Sequence, residues 1–129
     1  MKKTINIVLK VILSLILIMP ILGVLGVFPQ PTADMYKTKE SYDFIMALYS
    51  SGYIMWLMGI VFALCLFLII KNKMALVALL LLPITLNILG FHMFLDGGLF
   101  NAGSIMADVL FALNLYFLYQ NRDQYKALF

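Results

Sequence analysis

The chain has one histidine, His92, and Asp96 follows it by one helical turn. Residues four apart in a helix differ by about 40° around the axis, so imidazole and carboxylate share one stripe. Ser104 and Asp108 repeat that spacing further along. An imidazole beside a carboxylate can hold or pass a proton, orient toward a ligand, or lock two helices together. If the intervening turn centres near Phe100, an antiparallel return sets His92 level with Asp108 and Asp96 level with Ser104. The expected arrangement is a small polar cluster of His92, Asp96, Asp108 and Ser104, with Asp108 holding the His92 ring in one orientation. Asn87 adds an amide about 140° from His92 on the same helix, so it faces a different neighbour or another part of one cavity. Asn114 is its rough counterpart in depth, and backbone groups of an adjacent helix are its expected partners.

These residues carry no recognisable catalytic pattern. There is no Ser/His/Asp hydrolase motif, phosphate-binding loop or dinucleotide fingerprint, and no residue is assigned a catalytic role. One histidine without a cysteine cluster is a poor metal or haem signature, so no metal ligand is assigned. Cys65 is the only cysteine, which excludes an internal disulfide or a C-x-x-C pair.

The elements that must position these groups are apolar. Of 129 residues, 64% are hydrophobic and 12% charged, with a mean hydropathy of +1.03. A soluble domain is about 25% charged, so this chain could not cover its surface in water. The expected fold class is all-α: a polytopic membrane protein, one domain over 1–129, with four transmembrane helices bundled together. Spans fall at about 5–28, 53–70, 74–95 and 102–119, each near the length a bilayer core requires. An outer helix over 38–52 would place Phe44, Ile45, Leu48 and Tyr49 on one face, lie across the bundle mouth or on the membrane surface, and end at Gly52. Lys2 and Lys3 before the first span suggest a signal peptide, but the apolar stretch is long for one and no clear cleavage site follows, so uncleaved insertion is expected.

Charge sets the expected orientation. Lys2, Lys3, Lys10, Lys71, Lys73, Arg122 and Lys126 fall on one side. On the other, Lys37 and Lys39 are offset by Asp34, Glu40 and Asp43, with Asp96 beyond. The positive-inside rule then makes both termini cytoplasmic. The net charge of +3 is explained by these flanks and gives no indication of nucleic acid. Pro20 and Pro83 lie inside spans and are expected to serve packing. The pairs Gly59/Ala63 and Gly103/Ala107 mark close helix approach.

The stretch N-I-L-G-F-H-M-F-L-D-G, Asn87 to Gly97, resembles the third-span signature of the DoxX and DoxX-like membrane proteins. Ser51 to Val61 is similar to that family's entrance to span two, and Asn121 to Tyr125 to its ending. The resemblance covers nearly the whole chain. It implies a small four-helix membrane protein. One namesake is a subunit of a thiosulfate:quinone oxidoreductase, others are associated with oxidative-stress and thiol systems, and distant relatives act as membrane chaperones. Many members carry a lysine at the end of span one and a glutamate followed by a glycine in span two. Here Gly26, Phe62 and Leu66 stand at those positions, and losing both charges together leaves neither unpaired. His92, Asn87 and Asp96 match the family's polar positions.

The resulting expectation is a non-enzymatic membrane component, with no catalytic activity of its own, that binds a partner protein or a small lipophilic ligand near the outer leaflet. The alternative is a membrane subunit of a quinone- or thiol-linked oxidoreductase system, with quinone as the cofactor and a membrane or soluble redox protein as partner. A small transporter is a third and weaker expectation, since alternating access usually needs more helices.

Overall fold

The computed structural model describes all residues 1–129. The protein is all-α. Its helices are α1 (Lys2–Val24), α2 (Lys39–Ser50), α3 (Ile54–Ile70), α4 (Met74–Phe94) and α5 (Ile105–Gln120), with short 3-10 turns at Ala33–Met35 and Arg122–Leu128.

Local chemistry explains the boundaries. The apolar run at the start of the chain continues to Phe28, but α1 stops at Val24 because Gly26 takes a left-handed conformation (φ +83°). The Val27 N–H then bonds back to Leu22 O at 3.0 Å. α2 begins at a reciprocal cap. The Thr38 hydroxyl accepts the Ser41 N–H at 3.0 Å, and the Thr38 N–H reaches the Ser41 hydroxyl at 3.4 Å. Between α3 and α4 the chain reverses in three residues through Asn72, which adopts φ 57°, a conformation asparagine tolerates better than most side chains.

The four longer helices pack side by side. α1 lies on α3, α4 on α5 and α3 on α4, and α1 meets α5 to close the ring. Leu13 and Leu17 of α1, Phe62 and Cys65 of α3, Val77 and Leu81 of α4, and Leu110 and Phe117 of α5 form one buried core. Gly59 faces Val24 of α1, and a Cβ placed there would make an ordinary contact at 3.6 Å from a Val24 methyl. The chain termini and the 71–73 turn share one end. Tyr116 bonds the Asn6 side chain, Tyr125 donates to Ala75 O at 2.9 Å, and the Lys10 ammonium donates to Asn72 at 2.6 Å. The opposite, distal end carries α2 and the 95–104 connection.

Only 19 of the 129 residues are buried, and many large hydrophobic side chains face outward. That exterior suits hydrocarbon rather than water. By length and composition α1 and α4 are each able to cross a membrane. α2 and α3 together would make a third span, but they meet at 82°, and α5 is a shorter apolar helix. Two or three helices therefore qualify as spans.

One polar junction is sealed within the core. The Thr85 hydroxyl on α4 donates to Asn114 Oδ1 at 2.7 Å, and Asn114 Nδ2 donates to Ala78 O at 2.9 Å. Both side chains are buried. The interhelical bond to backbone that Asn87 was expected to make is made instead by Asn114, whose side chain points into the bundle whereas Asn87 is exposed. A double-mutant cycle of Thr85→Val and Asn114→Leu, followed by unfolding in detergent, should show a coupling of about 0.6 kcal/mol and at most ~1.7 kcal/mol, the range for interhelical hydrogen bonds in membrane proteins.

Candidate functional site

The distal end is organised around Asp96, which is buried just past the last turn of α4. Its Oδ1 accepts the Lys37 N–H at 2.8 Å and the Ser41 hydroxyl at 2.9 Å. The first donor lies just before α2 and the second in its first turn, so the carboxylate ties the entry of that helix to the end of α4, near the positive end of the α2 dipole. Thr38 adds a bond from its hydroxyl to Leu95 O. Asp96 Oδ2 faces His92 Nδ1 at 3.3 Å. The nitrogen is close enough for attraction but misaligned for a hydrogen bond, and it has no other partner although it is buried.

Gly97 makes the junction sterically possible. It holds φ +85°, and a Cβ there would stand 3.1 Å from Lys37 Cγ. An aromatic layer seals the same contact. The Phe91 ring stacks on Phe44 of α2 at 5.8 Å between centroids, meets Tyr36 edge-on at 6.3 Å and His92 edge-on at 5.1 Å. Burial pushes the Tyr36 phenol above its ordinary pKa; the Tyr49 phenol, the Asp96 carboxylate and the Tyr42 phenol push the same way. Tyr36 is thus held neutral, as a hydroxyl.

Under this roof lies a half-open cavity of about 530 Å³. Its deep wall is Leu17, Phe62 and Leu110, its sides come from α3 and α4, and Phe44, Ile45 and Leu48 of α2 cover it. The polar groups on its wall are His92, Asn87 and Tyr36, and no Lys, Arg, Asp or Glu lines it. Volume and lining match small-molecule sites, which are mostly apolar with a few placed polar groups. Apart from Phe44 in the roof, its exposed rim residues are Leu57 of α3 and Pro83 and Asn87 of α4. The opening therefore faces sideways between these two helices, whose short connection lies at their other end.

The expected polar cluster is divided. His92 and Asp96 come together with α2, and Asn87 joins His92 along the cavity wall. Asp108 does not pair with His92. It stays on α5, 3.4 Å from the Ser104 hydroxyl, in the first turn where the helix dipole favours a carboxylate. Ser104 is buried and bonds Asn101 O at 3.0 Å rather than Asp96. The equal-depth pairing failed because the connection after α4 is not a symmetric turn. Asp96 is turned toward the outer loop, and α5 starts only at Ile105 after an Asn101 side-chain turn. Tyr36, Thr38, Ser41 and Phe91 were not singled out as site residues. The T-x-x-S spacing of Thr38 and Ser41 was the available signal for the first contact. No three His, Cys, Asp or Glu side chains converge on a point able to hold a metal ion.

Compared with protein-family models, curated proteins and solved structures, the chain shows no match.

Asp96→Ala removes the acceptor of the Lys37 N–H and one of the two acceptors within reach of the Ser41 hydroxyl, a bond to a charged group being worth about 1.5–3 kcal/mol. Hydrogen exchange should show residues 37–50 losing protection while the core of α4 and α5 keeps it. Gly97→Ala should reproduce the effect through Lys37, whereas Asp108→Ala should leave 37–50 unchanged.

Proposed function

We propose that this protein is an integral membrane component, without catalytic chemistry of its own, that binds a small lipophilic ligand near the outer leaflet. The observation that carries the proposal is the laterally open apolar cavity with His92, Asn87 and Tyr36 on its wall. In this reading α1, α3, α4 and α5 are four spans and α2 is the interfacial helix. α3 and α5 are short for the hydrocarbon core, and local thinning of the bilayer accommodates such a mismatch at modest cost. Both termini are then cytoplasmic in a bacterial inner membrane, as the basic flanks favour. The DoxX-like resemblance of Asn87 to Gly97 belongs to the same proposal; a short outer helix before the second span supports it.

The exposed amide of Asn87 favours ligand binding over plain packing. It makes no hydrogen bond within the protein although it stands on an apolar helix, and hydrocarbon penalises a polar group left that way. Asn114 and Thr85, by contrast, satisfy each other. A redox-subunit role would place a quinone in this same cavity and the electron-transfer partner elsewhere. The lone, buried Cys65 offers no internal dithiol for such chemistry.

Purification from native membranes in mild detergent, followed by solvent extraction and mass spectrometry, should recover one apolar small molecule near one equivalent. His92→Ala should reduce its retention, and Ile88→Trp, which fills the cavity, should abolish it while the protein stays folded. Wild-type protein that carries nothing, or equal retention by Ile88→Trp, would refute the proposal.

A further inference from the structure

Resting on that reading, we infer that the cavity selects an uncharged lipophile whose head group is a hydroxyl, admitted sideways from the bilayer between α3 and α4. Three observations carry this choice. First, the wall has no charged side chain, so a phosphate, carboxylate or ammonium head would lose its hydration without a counter-charge.

Second, the hydrogen-bonding polarity of the wall is mixed. His92 Nδ1 lies 3.3 Å from a carboxylate oxygen. In the neutral ring the proton belongs on the nitrogen facing that charge, which leaves Nε2 as an acceptor. Nε2 has no protein partner, and unlike Nδ1 it is not sealed from the surroundings. The Tyr36 phenol is held neutral and offers a donor, and the Asn87 amide offers both. A carbonyl or ether accepts only, and leaves Nε2 unmet. A hydroxyl both donates and accepts, and can serve Nε2 and the Tyr36 phenol at the distal end.

Third, the polar and apolar parts are segregated. His92 and Tyr36 lie beneath the roof at the distal end, while Leu17, Phe62 and Leu110 form the depth. A head at one end and a hydrocarbon body at the other fits that division. The rim is apolar except for Asn87, so the body can pass from lipid without crossing a charged surface.

The test uses purified full-length protein in lipid nanodiscs and three probes with one hydrocarbon body: farnesol, its methyl ether and farnesylamine. Binding is read by isothermal titration against empty nanodiscs. Farnesol should bind saturably, with the ether and the amine at least tenfold weaker. His92→Phe should bring alcohol and ether within about twofold of each other. Asn87→Leu, at an exposed position with no hydrogen bond to lose, provides a variant certain to test the rim without breaking a contact, and should weaken farnesol alone. If His92→Phe does not fold, the wild-type ratio of alcohol to ether decides by itself. Equal binding of alcohol and ether, or tighter binding of the amine, overturns the hydroxyl assignment. If Ile88→Trp abolishes that equal binding, the cavity reading survives. No saturable binding of any probe to the wild type overturns both.

Discussion

The arrangement at the distal end depends on one buried carboxylate. Asp96 collects a backbone N–H from the segment entering α2 and a hydroxyl from its first turn, and without it the Lys37 N–H loses its acceptor and the Ser41 hydroxyl keeps only Thr38 O. Hydrogen bonds to a charged group are the strong ones in a low-dielectric setting, so this residue decides where α2 lies. α2 in turn places Phe44, Ile45 and Leu48 over the gap between α3 and α4. The other oxygen of the same carboxylate faces His92. Roof, ring orientation and cavity shape thus follow from a single side chain.

A second regularity lies in which polar groups are satisfied. Thr85 and Asn114 are sealed in the core and bonded to each other and to backbone. Ser104 and Asp108 complete the start of α5. Asn87 and the outward nitrogen of His92 stand apart from this pattern, and both line the cavity. Membrane helices tolerate polar groups by pairing them, so the places where pairing is left open are the informative ones.

The elements were largely legible in the sequence. Apolar runs bounded by Lys71–Lys73 and Gly52 located the helices to within a few residues, because each boundary is a local property of the chain. The end of α1 was missed by a few residues, since Val27 and Phe28 are as apolar as the helix and only the turn at Gly26 removes them from it. How many helices span the membrane was less legible, because α3 and α5 are near the lower limit of length. His92 and Asp96 were found together because they share one helix. The pairing of His92 with Asp108 was not found in the structure, because it required the path of a ten-residue connection and the position of α2, both tertiary properties. The same α2 contact is what drew Asp96 away from α5.

The Asp96 carboxylate 3.3 Å from Nδ1 favours the His92 proton on that nitrogen and leaves Nε2 as the ring's acceptor. A single histidine makes this directly observable, since ¹⁵N-histidine labelling yields one imidazole signal pair. In the wild type the uncharged ring should carry its proton on Nδ1 rather than Nε2, and Asp96→Ala should lose that preference. A proton on Nε2 in the wild type, or a spectrum unchanged by Asp96→Ala, would contradict it.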